Sequence, residues 1–164
     1  MIYYFSGTGN SRTVAHCLGK LLECDVADMS ATQQIPDLGF TKSLGLVFPV
    51  YAWGLPNVVE QFVSRLNLLA DDVYVWAVMT CGDDMGYADT ILDKCLYRAS
   101  GRHVQSGYSE PMPNTYVCLP GFDVDAPEVA SAKVEHTRNF LPAIARGIRL
   151  QANECNVERG AFPW

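Results

Sequence analysis

The chain has 164 residues, of which 49% are hydrophobic, 18% charged and 11% aromatic. This length and apolar content suit one well-packed core and fall short of two ordinary domains. The formal net charge of -6 leaves no excess of lysine and arginine for nucleic acid or an anionic membrane, so we expect neither as a partner.

The cysteines and histidines form no metal-binding or disulfide pattern. Among the six cysteines there is no C-x-x-C pair, and the three histidines are not spaced to complete a zinc site, so we predict no metal. The first apolar run begins at Ile2, directly after Met1, without the basic and apolar segments of a secretory signal. A cytoplasmic location with reduced cysteines is therefore expected.

Strands and helices alternate along the chain. Short apolar runs rich in aromatic or β-branched residues predict strands at residues 1–6, 23–27, 44–48, 73–79 and 104–108. Apolar residues at helical spacing predict helices that include residues 14–22, 56–66, 88–99 and 125–148. Gly101 is expected to end the third helix, and a proline-rich segment spans residues 110–122.

This alternation predicts an α/β fold of three layers, in which a five-stranded parallel sheet is doubly wound with helices on both faces. Ligands of such sheets bind beyond the carboxyl ends of the strands, where the strand order reverses. The informative loops are therefore residues 6–11, 49–55, 80–87 and 109–122.

The first of these loops has the composition of a phosphate site. Gly7 and Gly9 let the backbone curl closely before a helix N-terminus, where free amides and the helix dipole favour an anion. Arg12 stands where a nucleotide-triphosphate loop or a dinucleotide fingerprint would need glycine, so both motifs are excluded. The arrangement C-x5-R of low-molecular-weight phosphatases is also absent.

The run S-G-T-G-N-S resembles the FMN-phosphate loop of flavodoxins, T/S-x-T-G-x-T/S. The resemblance implies a flavodoxin-like strand order of 2-1-3-4-5, with FMN as the cofactor. It extends over residues 1–148, which we take as an FMN-binding domain followed by a tail at 149–164. It also implies that the phosphate is held by Ser6, Gly7, Thr8, Gly9, Asn10 and Ser11.

By the same resemblance, the next two loops flank the isoalloxazine ring. The second loop contributes Pro49, Val50, Tyr51, Ala52, Trp53 and Gly54, and the third contributes Thr80, Cys81, Gly82, Asp83, Gly86 and Tyr87. Tyr51 and Trp53 offer flat surfaces for stacking. Tyr87 is either a second stacking residue or the first buried residue of the following helix.

Two further segments resemble a narrower group of proteins within the flavodoxin family. F-P-V-Y-A-W-G-L-P (48–56) and M-P-N-T-Y (112–116) resemble the flavodoxin part of bacterial flavodoxin–ferredoxin fusions. Only Cys155 lies beyond residue 118, so no iron–sulfur cluster of the usual C-x2-C-x2-C kind is expected. The tail either packs on the domain or leads to an absent module.

Three functions follow from these features. The leading hypothesis is one-electron transfer by FMN between redox proteins, a reductase or a ferredoxin-type partner with basic docking faces. No catalytic residue is expected, because the three loops contain no histidine, lysine or arginine. The alternatives are a flavin-dependent NAD(P)H:quinone or FMN reductase, and a binding module that keeps the fold without FMN.

Overall fold

The computed structural model describes residues 1–32, 38, 41–66, 72–118 and 123–161. The strands are β1 (Ile2–Tyr4), β2 (Val26–Asp28), β3 (Ser43–Pro49), β4 (Tyr74–Cys81), β5 (Ser106–Pro111) and β6 (Cys155–Asn156). The helices are α1 (Asn10–Leu22), α2 (Asn57–Val63), α3 (Ala88–Ser100) and α4 (Pro127–Arg149). In these ranges, no helix combines the length and apolar character needed to cross a bilayer.

All strands of the described sheet run parallel, in the order β2-β1-β3-β4-β5-β6. The predicted α/β class and the order 2-1-3-4-5 are confirmed, but the prediction of five strands was one too few. The sixth strand is a two-residue pairing of the tail with β5, and both of its residues are exposed. Such a strand has no apolar pattern from which a sequence can predict it.

Both faces of the sheet are covered by helices. Along β4, Val75, Ala77 and Met79 join a core cluster with α2 and α3, while Trp76 and Val78 join a second cluster with α1 and α4. Every residue of β4 is buried. This burial explains why the strand is a continuous apolar run instead of an alternating one.

The observed boundaries of α1 and β4 differ from the predicted ones at two of the loops. The helix α1 begins at Asn10, so Asn10 and Ser11 lie in its first turn and Gly9 is its N-cap. The strand β4 continues through Thr80 and Cys81, which were predicted to lie in a loop, because their backbone pairs with β5. Gly101 ends α3 in the left-handed conformation (φ 70°), as predicted.

Gly45 on β3 leaves room for the indole of Trp76 on the neighbouring strand. A Cβ at Gly45 would lie 2.3 Å from the Trp76 ring, whereas at Gly107 on β5 it would meet its nearest neighbour at an ordinary 3.7 Å. We expect Gly45→Ala to lower the free energy of unfolding by about 2 kcal/mol through overpacking. Gly107→Ala is the matched control, and equal urea midpoints for the two variants would contradict this packing.

Candidate functional site

The first three predicted loops meet at the carboxyl-terminal edge of β1, β3 and β4. The Tyr51 hydroxyl lies against Gly7, where an added Cβ would come within 2.3 Å of it. The Phe5 and Tyr51 rings contact edge to face at 6.3 Å between centroids. The indole N–H of Trp53 donates to Asp84 Oδ1 at 2.6 Å. Loops whose contacting residues lie 44 positions apart (Gly7 and Tyr51) and 31 positions apart (Trp53 and Asp84) therefore form one continuous surface.

Backbone amides are available in the first loop. The Ser6 hydroxyl accepts a hydrogen bond from the Gly9 amide at 3.0 Å, and Gly9 takes a φ of 105° that suits glycine. The amides of Gly7, Thr8 and Asn10 have no hydrogen-bond partner among the described residues. The first turn of the 13-residue α1 carries no acidic residue. Unpartnered amides at a helix N-terminus are groups to which an anion can bind.

Asn10 and Ser11 use their side chains to hold the loop in place. Ser11 is fully buried, and its hydroxyl shares a hydrogen bond of 2.8 Å with Thr80 on β4. The Asn10 amide group donates to the Pro113 carbonyl at 3.1 Å. Only Gly7 and Thr8 of the loop are exposed. The predicted phosphate contacts of this loop thus depend on its backbone more than on these two side chains.

The second loop is a tight turn of unusual conformation. Tyr51 and Gly54 exchange two backbone hydrogen bonds, at 3.1 and 2.9 Å. Between them, Ala52 (φ 47°) and Trp53 (φ 60°) both adopt left-handed backbone, which costs non-glycine residues about 1–2 kcal/mol each. Strain of this kind is retained where surrounding contacts enforce it and concentrates at functional sites.

The aromatic residues of this turn have different surroundings. Tyr51 is 48% exposed, while Trp53 is half-buried with its N–H already bonded to Asp84. Tyr87 precedes α3 and is 43% exposed, with the Arg159 guanidinium 5.9 Å from its ring centroid. Ala88, not Tyr87, is therefore the first buried residue of that helix. Stacking by any of these rings on a flavin stays a prediction.

The third loop follows β4 and contains two glycines, Gly82 and Gly86, that have close neighbours. An added Cβ at Gly82 would overlap the Asn114 side chain at 1.7 Å, and one at Gly86 (φ 56°) would lie 2.7 Å from Trp53 Cβ. Glycine is strongly favoured at position 86, where φ is positive and the neighbour is a Cβ, whereas a side chain at position 82 would require Asn114 to move. Burial raises the pKa of the Cys81 thiol to about 12, and the carboxylates of Asp84 and Asp83 add to the shift. The thiol therefore stays neutral and is not a nucleophile.

A charged network joins this loop to α4. Lys133 Nζ donates to Asp125 Oδ2 at 2.7 Å and to Asp83 Oδ1 at 3.3 Å. Burial alone would lower the pKa of Lys133, but its two carboxylate partners outweigh burial and raise it. Asn114 completes the network, because its side chain donates to Asp83 and its backbone amide donates to Asp125.

Sequence reasoning missed Pro113, Asn114, Asp125 and Lys133 as parts of the site edge. The segment M-P-N-T-Y was noticed as a resemblance, but no role was predicted for its residues. Lys133 lies 50 positions from Asp83, and neither periodicity nor a loop motif connects them. No cluster of three or more metal-ligating side chains occurs among the described residues.

Glu110 is a buried carboxyl behind the first loop. It pairs in register with Thr80 across β4 and β5, is 2% exposed, and has no hydrogen-bond partner for Oε2 among the described residues. Burial raises its pKa to about 7, and the neighbouring Thr137 hydroxyl opposes the shift. Glu110 therefore holds a proton at mildly acidic pH.

Comparison with known proteins yields structural likeness only. No protein-family model and no curated protein sequence matches the chain. The Fusobacterium nucleatum flavodoxin bound to flavin mononucleotide is similar in structure with a TM-score of 0.58 and 11% identity, covering 92% of this chain and 96% of that one. A short-chain flavodoxin associated with a non-canonical PDU bacterial microcompartment is also similar, with a TM-score of 0.58 and 15% identity, covering 92% of this chain and 96% of that one.

A third similar structure is an enzyme. The rubredoxin oxygen:oxidoreductase of Desulfovibrio gigas has a TM-score of 0.54 and 17% identity, with 92% of this chain covering 36% of that one. The chain thus spans about a third of that enzyme. Together with the strand order, these likenesses establish a doubly wound α/β protein of the flavodoxin-like fold. The resemblance predicted from the sequence is confirmed at the level of the fold.

The Ser11–Thr80 hydrogen bond is testable by a double-mutant cycle. Ser11→Ala leaves a buried hydroxyl without its partner, so we expect a loss of about 1–3 kcal/mol in the free energy of unfolding. Thr80→Val in the same chain should recover part of it, giving a coupling energy of about 1 kcal/mol in urea titrations. Thr13→Ala, which removes an exposed hydrogen bond to Gly9, is the control. Additive losses would contradict the pairing.

Glu110 predicts a pH-dependent stability. Its pKa is raised from 4.5 to about 7 on folding, so the folded state binds the extra proton and loses stability as pH rises across that window. Above pH 7 the loss is complete. We expect the free energy of unfolding of the wild-type protein to decline by up to about 3 kcal/mol between pH 4.5 and 8, and Glu110→Gln to abolish this decline.

Urea unfolding of both proteins across this range measures the effect. Glu135→Gln, an exposed change on α4, should keep the wild-type pH profile. The assignment fails if Glu110→Gln and the wild-type protein lose stability in parallel.

Proposed function

We propose that the chain binds FMN and carries single electrons between partner proteins. The observation that carries the proposal is the row of unpartnered amides at Gly7, Thr8 and Asn10, at the N-terminus of α1 and directly beside the exposed ring of Tyr51. An anion site adjoining an aromatic surface matches a ligand with a phosphate at one end and a flat ring at the other.

The residues present fit the phosphate of FMN. Ser6 fixes the loop through the Gly9 amide, and Thr8 adds an exposed hydroxyl donor. Gly7 brings bare backbone to the surface, and a side chain there would displace the Tyr51 hydroxyl. The phosphate would be held by neutral donors and the helix dipole.

The second and third loops supply surfaces for the ring. Pro49, Val50 and Ala52 bring backbone to the sheet edge beside the Tyr51 ring, and Gly82 and Gly86 are positions at which a Cβ would come closer than 3 Å to a neighbour. The Trp53–Asp84 hydrogen bond keeps the two loops at a fixed spacing. The F. nucleatum flavodoxin, which is bound to flavin mononucleotide, gives independent support through its shared fold.

When bound, FMN supplies the one-electron chemistry. The protein's part is to bind, to orient and to set the electrostatic field. Cys81 stays protonated and so offers no nucleophile. The carboxylates of Asp83 and Asp84 oppose the build-up of negative charge at this edge, which favours the oxidised state of the cofactor.

We further propose that the redox partners dock through basic faces. The side chain of Asp83 is 77% exposed at the site edge, and the whole chain carries a net charge of -6. Charges of opposite sign steer association, and salt weakens that steering. Electron transfer rates should therefore fall as ionic strength rises.

The phosphate assignment predicts a charge-specific loss of affinity. Thr8→Asp places a carboxylate beside the proposed phosphate, and unit charges about 4 Å apart repel by roughly 4 kcal/mol at an effective dielectric of 20. We expect FMN to bind at least about 100-fold more weakly, with riboflavin, which lacks the phosphate, nearly unaffected. Flavin fluorescence quenching measures both affinities.

Ser64→Asp makes the same charge change at the far end of α2 and serves as control. Equal affinity of the wild-type protein for FMN and riboflavin would contradict the phosphate site. Rapid bleaching of the bound flavin by NADH or NADPH without a reductase would contradict the carrier and indicate a reductase.

A further inference from the structure

The C-terminal segment, residues 154–160, is attached to β5 by hydrogen bonds of its own backbone to backbone and serine hydroxyl groups of that strand. Glu154 accepts from the Gly107 amide at 2.9 Å and donates to the Ser106 hydroxyl at 3.1 Å. Farther along, the Glu158 amide donates to the Ser109 hydroxyl at 2.7 Å. Apart from the partly buried Val157, the segment contributes little to the core. Its path along β5 is therefore set by polar contacts.

The same segment holds the third loop. The Met85 amide donates to the Glu158 carbonyl at 3.0 Å, and Met85 is fully buried. The Arg159 guanidinium forms an ion pair with Asp89 and lies over the Tyr87 ring. Three contacts from one short segment thus restrain both the middle and the end of the loop that precedes α3.

Gly160 lies close to the Asp84 side chain of the third loop. It adopts a φ of 78°, and an added Cβ would lie 2.6 Å from Asp84 Oδ2. Asp84 cannot move away freely, because its other oxygen accepts the hydrogen bond from Trp53 at 2.6 Å. Asp84 therefore lies between Gly160 and Trp53 and touches both the C-terminal segment and the second loop.

We propose that the C-terminal segment is a positioning element of the flavin site. It fixes the third loop, and through the contact of Gly160 with Asp84 it fixes the Trp53 hydrogen bond that joins the second and third loops. The inference rests on the proposed FMN binding. Its physical basis is preorganisation: loops ordered before binding spare the ligand the entropic cost of ordering them.

Two glycines allow a matched test. Gly160 and Gly101 both have left-handed backbone, at φ 78° and 70°, but an added Cβ at Gly101 meets nothing within 4 Å. Alanine at either position introduces the same backbone strain, and only Gly160→Ala displaces Asp84. The comparison therefore separates the positioning effect from a general loss of stability.

Two readouts are measured on the full-length, folded variants. Amide hydrogen exchange in the ligand-free protein reports the protection of residues 82–87, and fluorescence quenching reports the affinity for FMN. We expect Gly160→Ala to speed exchange in this loop and to weaken FMN binding roughly tenfold, while Gly101→Ala leaves both close to wild type.

Arg159 provides a second, independent variant. Arg159→Met keeps the apolar stem but removes the ion pair with Asp89, so exchange in residues 82–87 should increase. Arg159→Lys, which keeps the charge, should restore most of the protection. This rescue would not occur if the side chain acted only through its packing.

Each outcome decides one hypothesis. If Gly160→Ala and Gly101→Ala show the same loop exchange and the same FMN affinity, the positioning role is overturned. If the loop loosens and the affinity does not change, the segment stabilises the loop and does not position the flavin site. If the wild-type protein fails to bind FMN, the proposed function fails, and the exchange data still decide whether the segment holds the loop.

Discussion

The parallel pairing of β1, β3 and β4 is the constraint on which the candidate site depends. Because these strands run in one direction, the residues that follow them emerge at the same edge of the sheet. Both faces of the sheet are covered by helices, so that edge is where polar loop residues remain accessible. The Tyr51–Gly7 contact is a direct result of this geometry.

Polar contacts then convert adjacent loops into a defined surface. The buried Ser11–Thr80 hydrogen bond ties the start of α1 to β4, and the Trp53–Asp84 hydrogen bond ties the second loop to the third. Each joins elements far apart in sequence. The Trp53–Asp84 hydrogen bond also holds one of the two successive left-handed residues, Ala52 and Trp53, in place.

The sequence predicted the local features well because they depend on local chemistry. Strands that are buried on both faces appear as continuous apolar runs, and glycines in a loop before a helix indicate backbone that approaches an anion. The first loop, the turn at Tyr51 and the C-cap at Gly101 were all recognisable on this basis. The boundary at Cys81 was less accurate, since pairing with a neighbouring strand extends an element beyond its own pattern. The boundary at Asn10 was less accurate because the first turn of α1 is closed by the hydrogen bond from the Thr13 amide to the Gly9 carbonyl.

The sequence by itself determined the order of elements, the fold class and the position of the glycine-rich loop before α1, because each is encoded in residues next to one another. Tertiary structure alone decided that Asn114 covers Gly82, that Lys133 pairs with Asp83, and that the C-terminal segment reaches Asp84. These contacts join polar residues 30 to 80 positions apart, as with Asn114 and Asp83 or Gly160 and Asp84. No hydrophobic period records such pairings, so only the folded chain brings them together.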